Sequence, residues 1–295
     1  MPRGRIDDPV EAAFMAGSAV NALDNLVRAE PEWSGAWRHR LALRAAAACM
    51  KLIGRTEDEA ALRDAWLLRQ PADEAGPAGN VLAAWRRLAG RSLSPGVEDL
   101  RTVATLLGFG WSDSFGHLID VTRDEVRSGA PAPVVAARAA AAVMREDPKA
   151  EILAWWLADC ALSWRMGWRD AVPILGLQIY APLLRSGSEG RRARPGSDAF
   201  EQAVFIAAAL GAAEACRLAT DMAAQAERLR AVVPKLRSKA AGEVIGRLLG
   251  DDAVSGTLAT RNLSRWASRR LFDRLVELGA VRELSGRSTF RIYGL

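Results

Sequence analysis

The chain has 295 residues, half of them apolar and a quarter charged, which is the balance of a globular protein that buries a substantial core. Its three cysteines lie far apart in apolar stretches without a CxxC spacing. This excludes a disulfide framework and a cysteine-based zinc site, and predicts buried thiols in a cytoplasmic protein.

Helical periodicity dominates the first half of the chain. Asp8-Pro9 has the pattern of an N-cap followed by proline at the first helical position, and apolar residues recur at helical spacing from there to Ala29. We predict helices over 8–29, 33–53, 57–69, 81–89, 94–107, 112–126, 132–145 and 149–166, with a loop over 70–80. The last of these helices is apolar on most of its faces, so we expect it to lie at the centre.

The middle of the chain predicts no membrane span. The uncharged stretch 171–184 contains Pro173 and Pro182 and is shorter than the about 20 apolar residues that a span needs, so we predict a core helix or a kinked pair. Residues 186–197 are rich in Arg, Gly and Ser without an apolar period, which predicts a linker. A long helix or a helix pair follows over 198–233.

These features divide the chain into a helical body (1–185), a linker (186–197), a joining helical segment (198–233) and a C-terminal module (234–295). The body has no alternating strand pattern, so we predict a mainly-α protein whose body is an antiparallel bundle or a helical array.

The positive charge is concentrated at the C-terminus. Residues 257–295 contain eight arginines and three acidic residues, and therefore carry the whole net charge of +5. A neutral body joined to a basic C-terminal segment is the charge distribution expected of a nucleic-acid-binding protein.

The spacing of the C-terminal module predicts a winged helix-turn-helix. A first helix over 235–249 ends at Gly250, and Ser255 caps a short second helix over 256–261. After a turn at Asn262-Leu263, a third helix begins at the cap Ser264 and ends before Gly279. Two β-prone segments, 280–284 and 288–293, flank the turn 285–287 and form a hairpin.

The third helix has two unlike sides. Leu271 and Leu275 lie on its apolar side, together with Ala267 and Leu278, whereas the arginines of its first two turns lie on the other side. Those turns are the part of a recognition helix that enters a major groove. We therefore predict that double-stranded DNA is bound by the third helix and the hairpin through Arg265, Trp266, Ser268, Arg269, Arg270, Arg287 and Arg291.

Two resemblances accompany these patterns. The run 273–295 (DRLVELGAVRELSGRSTFRIYGL) resembles the winged helix found behind the catalytic domain of Fic-type AMP-transferases, which implies the fold of the module. The Fic loop His-Pro-Phe-x-x-Gly-Asn has no match, so no AMP transfer is implied. Over nearly the whole chain, segments such as 28–48, 57–66, 155–168 and 234–242 resemble a domain-of-unknown-function family of alphaproteobacterial proteins, which implies a bacterial, cytoplasmic setting and no particular substrate.

The chain shows no motif for catalysis or for a cofactor. His39 and His117 lack metal-ligand spacing, and there is no GxGxxG, GxxxxGK[ST] or GxSxG. Asp159 and Glu214 lie within apolar helices, and we expect each to pair with a buried arginine. We interpret the tryptophans as core residues, with the lining of a ligand pocket between helices as the alternative.

We therefore expect a non-enzymatic, transcription-regulator-like protein that binds DNA, with a second copy or another protein bound by the helical body. Two alternatives remain open. In the first, the protein is a scaffold whose winged helix packs on the body and binds no DNA. In the second, it is an enzyme whose acidic and aromatic residues meet in a cavity of the body.

Overall fold

The computed structural model describes residues 6–69, 75–90, 95–186, 191–236, 240–287 and 289–295. Parts of the predicted loop 70–80, linker, first helix of the module and hairpin fall outside these residues. The mainly-α prediction is confirmed. The helices in the described part are α1 Pro9–Ala29, α2 Ser34–Met50, α3 Glu59–Leu67, α4 Gly76–Ala89, α5 Val97–Leu106, α6 Asp113–Arg127, α7 Ala132–Glu146, α8 Glu151–Arg165, α9 Phe200–Val232, α10 Ala241–Gly250 and α11 Arg265–Glu277.

The helices begin largely where local chemistry places them. Asp8 caps α1 through a hydrogen bond from the backbone N–H of Val10, and Asp58 caps α3 through the N–H of Ala61. One predicted boundary was wrong, because α4 begins at Gly76 and so includes half of the predicted loop. Pro77 in its first turn has no N–H to leave unpaired, which makes it a favourable starting residue.

The core is built around α8, as its composition predicts. Nearly every residue of α8 is buried, including Trp155 and Trp156, and the indole N–H of Trp156 donates to the carbonyl oxygen of Ala84 at 2.9 Å. Trp37 of α2 likewise donates to Ala215 of α9 at 3.0 Å. Trp37 and Trp156 thus each contribute a large apolar surface while their polar N–H groups remain bonded.

The prediction of a core helix or a kinked pair of helices over 171–184 is wrong. This segment is irregular, with 3₁₀ turns at Gly176–Gln178 and Pro182–Leu184. The carboxylate of Asp159 accepts the backbone N–H groups of Ile174, Leu175 and Gly176 at 2.7–2.8 Å. These bonds satisfy three backbone N–H groups that would otherwise need partners within a helix. The segment can therefore be buried without regular secondary structure.

The segment that follows crosses to the long helix α9. Strands β1 (Arg185–Ser186) and β2 (Arg191–Arg192) pair antiparallel, so part of the predicted linker forms a small hairpin. The guanidinium of Arg192 lies 2.6 Å from the carboxylate of Glu151 on α8. The joining segment is then one uninterrupted helix, without a break at Gly211.

Helix α9 packs beside α1, although the two helices are far apart in the sequence. Gln202 donates to the carbonyl oxygen of Ile6 at one end of the pair, and Arg230 forms an ion pair with Glu32 at the other. The two helices therefore run in the same direction. By length and composition, the segment Phe200–Lys235 is apolar enough to cross a membrane, but 61 % of its most apolar window is buried inside the protein, as in the core helix of a globular fold.

The C-terminal module (240–295) consists of α10, strand β3 (Val254–Ser255), α11 and strands β4 (Arg282–Glu283) and β5 (Ile292–Gly294). The strands form an antiparallel sheet with β5 in the centre, and Val254 pairs with Tyr293. The predicted second helix over 256–261 is absent. The N–H of Gly256 instead donates to the carbonyl oxygen of Arg291, which extends the sheet into residues that the prediction gave to the helix.

Candidate nucleic-acid interface

Helix α11 is fixed by its cap and by its apolar side. The hydroxyl of Ser264 accepts the N–H of Ala267 at 3.2 Å, as predicted, and Leu271 and Leu275 are buried. Phe272, which the periodicity argument did not assign to the core, is also fully buried and stacks on Tyr293 with ring centroids 4.5 Å apart. These contacts determine which side of α11 points outward.

The outward side of the first two turns carries Arg265, Trp266, Arg269 and Arg270, which we call the basic face. All four side chains are exposed, and Trp266 is 67 % exposed. The guanidinium of Arg270 lies over the Trp266 ring, 4.7 Å from its centroid. The structure therefore brings these four predicted residues together on one open surface.

The arginines of the basic face lack acidic partners. In the described part of the chain, no carboxylate forms an ion pair with Arg265, Arg269 or Arg270. Some arginines of the body do have such partners, since Arg44 pairs with Glu214 and Arg38 with Asp170. Three uncompensated cations within two helical turns produce a positive potential to which a polyanion is attracted.

One predicted site residue has to be corrected. Ser268 is completely buried, and its hydroxyl has no hydrogen-bond partner among the described residues. It lies one turn after Ser264 on the side of α11 that faces the module's own core, so it cannot contact a ligand on the basic face.

The two predicted arginines of the hairpin have acidic partners. The guanidinium of Arg287 lies 2.5 Å from the carboxylate of Asp64 on α3, and that of Arg291 lies 3.5 Å from Asp273 on α11. Both arginines remain about half exposed. The first ion pair joins the hairpin to the body, whereas the second stays within the module.

The loop that replaces the second helix is held by Glu243 of α10. Its carboxylate accepts the side-chain amide of Asn262 at 2.6 Å and the hydroxyl of Thr260. These two hydrogen bonds lower the pKa of Glu243, although its partial desolvation acts in the opposite direction. The loop therefore has a defined position just before the cap of α11.

The module is attached to the body by two adjacent aspartates, Asp251 and Asp252, which follow α10 directly. The carboxylate of Asp252 is buried and accepts hydrogen bonds from Arg40 of α2 and, at 2.9 Å, from Arg63 of α3. A second guanidinium nitrogen of Arg40 reaches the carbonyl oxygen of Leu295 at 3.2 Å. The C-terminal residue is thus held by the same arginine as the end of α10.

Asp251 makes the second half of this attachment. It lies 2.7 Å from the guanidinium of Arg86 on α4 and 3.5 Å from Nδ1 of His39 on α2. Burial would raise the pKa of Asp251, but the neighbouring His39 and the hydrogen bond and charge of Arg86 outweigh it and hold this pKa well below its usual range. Close helix packing accompanies these bonds, since a Cβ on Gly35 would lie 2.7 Å from the carbonyl oxygen of Gly250.

Comparison with known proteins places the whole sequence in one family. The family model described as "Protein of unknown function (DUF1403)" matches residues 1–295. The chain belongs to the DUF1403 family. The predicted resemblance to a domain-of-unknown-function family over the full chain is thereby confirmed. Comparison with the curated proteins found no match.

The described residues of this DUF1403 chain contain no cluster of three His, Cys, Asp or Glu side chains able to hold a metal ion. The two carboxylates singled out from the sequence have different roles, and only Asp159 is buried. Glu214 pairs with Arg44 at 3.0 Å, as expected, and also accepts from Gln178. Asp159 was expected to pair with an arginine but binds three backbone N–H groups instead, and burial raises its pKa to about 7 against their opposing effect.

Proposed function

We propose that this protein binds double-stranded DNA through the basic face of α11, with the hairpin between β4 and β5 as a wing beside it. The observation that carries the proposal is the exposure of Arg265, Arg269 and Arg270 without acidic partners in the described part of the chain. When arginines without acidic partners bind the phosphates of DNA, counterions are released from the DNA. Such arginines can also donate hydrogen bonds to base edges.

The arrangement of the module supports this proposal. The order α10–β3–α11–β4–β5, with β5 between β3 and β4, supports the interpretation of the module as a winged helix in which a loop takes the place of the second helix. In helix-turn-helix proteins, the first turns of the recognition helix contact base edges in the major groove. Arg265 and Arg269 lie in the corresponding turns of α11.

The attachment to the body leaves this face open. The module contacts the body through Asp251, Asp252, Leu295 and the wing residue Arg287, none of which belongs to the basic face. A long duplex lying on α11 would therefore meet the exposed side of the module, and the domains need not separate first.

Binding of the full-length protein to a long duplex, followed by fluorescence anisotropy at increasing salt, tests the proposal. We expect micromolar binding at about 50 mM salt, and a log–log plot of affinity against salt whose negative slope reflects the phosphates contacted. The double variant Arg265→Ala, Arg269→Ala should bind at least about tenfold more weakly and with a shallower slope, since two contacts are lost.

The matched control is Arg217→Ala, Arg228→Ala, which removes the same charge from exposed positions on α9. This variant should retain nearly the wild-type affinity. Equal losses in both double variants would indicate a general charge effect and contradict a specific basic face. No binding by the wild type at low salt would overturn the proposal.

The second candidate function is that of a scaffold. It is favoured by the buried bonds of Asp252 to Arg40 and Arg63, which make the module part of the body. In that case the wild type binds no duplex, and substitutions on the basic face leave DNA binding undetectable while they weaken capture of a protein partner.

A further inference from the structure

Two large aromatic side chains near Arg269 are exposed to solvent. Trp266 lies one turn before it on α11, and Phe290, at the base of the wing, is 65 % exposed. Exposed aromatic rings next to unpaired guanidinium groups are not needed for contact with the phosphates of a regular duplex. They are the groups that stack on bases once those bases are unstacked or unpaired.

The backbone of Phe290 adds a second, independent observation. Its φ angle is 56°, in the left-handed region that bulky side chains seldom occupy because Cβ approaches the carbonyl oxygen. Apart from Phe290, Glu30 is the only non-glycine residue of the described chain with a positive φ. A conformation of this kind persists only where the surrounding structure holds it, and such outliers cluster at functional sites.

The residues on both sides of the hairpin near Phe290 are anchored. Immediately after it, the carbonyl oxygen of Arg291 accepts the N–H of Gly256, and Ile292 enters the central strand β5. On the opposite side of the wing, the Glu283 carboxylate accepts the N–H groups of Ser285 at 2.8 Å and Gly286 at 3.1 Å. The ring of Phe290 is therefore presented to solvent two residues before the anchored strand β5.

The ring borders a cleft between the wing and α11. This cleft of about 140 Å³ is lined by Arg269 and Asp273 from the helix, and by Thr257, Arg291 and Phe290 from the sheet side. It combines an aromatic face with guanidinium and hydroxyl donors and a carboxylate acceptor. An unpaired base needs such a combination, because its ring stacks while its hydrogen-bonding edge finds donors and acceptors.

We infer that Phe290 and this cleft bind an unpaired base, so that the protein prefers duplex DNA containing unpaired or unstacked bases over fully paired DNA. This inference rests on the proposed function and adds the class of DNA. The arginines of the basic face neutralise the phosphates of the flanking duplex, and the ring of Phe290 stacks on a base that the distortion has already exposed. Paired DNA lacks this contact because its bases would first have to be unstacked.

The test compares two labelled duplexes of equal length and composition, one fully paired and one with a central bubble of unpaired bases. Anisotropy titration of the full-length protein should show binding to the bubble that is tighter by about fivefold or more, given the contribution of stacking per base. In Phe290→Ala the ratio of the affinity for the bubble to the affinity for the paired duplex should fall close to one. The affinity for the paired duplex itself should change less than about twofold.

Phe14→Ala is the matched control, because Phe14 of α1 is 75 % exposed and lies outside the module. Its preference for the bubble should equal that of the wild type, and Phe290→Trp should retain the preference. Equal binding of both duplexes, or an undiminished preference in Phe290→Ala, would overturn the inference and leave the proposed function standing. No binding of either duplex would overturn both.

Discussion

Arg40 of α2 donates hydrogen bonds to both the carboxylate and the carbonyl oxygen of Asp252, the second residue after α10. The side chain of Arg40 is 13 % exposed and that of Asp252 is 5 % exposed, and Arg63 donates to the second carboxylate oxygen. This contact joins the C-terminal module to the body at a largely buried site.

Asp252→Asn should destabilise the protein by about 3–5 kcal/mol, because two buried guanidinium groups would lose their shared counter-charge. Urea unfolding followed by circular dichroism measures this change. The control Asp120→Asn removes an exposed carboxylate that pairs with Arg123 one turn away on α6, and should cost at most about 1 kcal/mol. Equal effects of the two substitutions would contradict the importance of the buried contact.

Gly211 allows α9 to approach the irregular segment after α8. A Cβ at this position would overlap the carbonyl oxygen of Ile174, which belongs to the backbone and cannot turn away. Gly211→Ala should therefore destabilise the fold by about 2 kcal/mol or more, despite the better helix propensity of alanine. The Cβ added by Gly17→Ala on α1 enters open space, so this variant should stabilise the fold by up to about 1 kcal/mol. Thermal unfolding of the two variants should show shifts of opposite sign.

Asp159 should make stability depend on pH. Burial raises its pKa in the folded state to about 7, from an ordinary value of 3.8 for an aspartate in water. Its stabilising contribution is therefore complete below pH 3.8 and is lost as the pH rises towards 7, because the unfolded state ionises first. Asp159→Asn does not titrate at this position. The difference in unfolding free energy between wild type and Asp159→Asn should thus fall by a few kcal/mol between about pH 4 and pH 8. A difference that rises with pH would show that the three N–H donors lower the pKa instead.

The wing should bind phosphate more strongly once it is released from α3. Arg287 is engaged by Asp64 at 2.5 Å, so part of its charge is compensated. Asp64→Asn removes that carboxylate and should raise the affinity for a long duplex about two- to fivefold, with a salt slope steeper by up to about one unit. Salt titration by anisotropy measures both quantities. Asp120→Asn, which leaves the module untouched, should change neither of them.

The cysteines should differ in reactivity in the native protein. Cys49 and Cys160 are completely or almost completely buried, and burial raises the pKa of each thiol well above its usual range. Cys216 is only partly buried, and its pKa is raised for the same reason. Reaction with a thiol reagent should modify at most Cys216 under native conditions and all three cysteines in denaturant. Cys216→Ser should abolish the native reaction, and labelling that persists would show that one of the buried thiols is accessible.

The sequence by itself was sufficient for features that depend on neighbouring residues. The caps Asp8 and Ser264, the apolar character of α8 and the apolar side of α11 all follow from local hydrogen bonds and from periodicity over a few turns. Charge distribution along the chain is equally local, which is why the arginines of the basic face could be selected before the fold was known.

Only the tertiary structure decided which groups meet across long sequence separations. Nothing near Asp252 in sequence indicates Arg40 and Arg63, and nothing near Asp159 indicates that its partners are the N–H groups of Ile174, Leu175 and Gly176. The predicted second helix failed for the same reason, since the pairing of Val254 with Tyr293 and the bond from Gly256 to Arg291 outweigh a short and costly helix nucleus. Whether the basic face is open also depends on where the body lies, and long-range packing alone determines that.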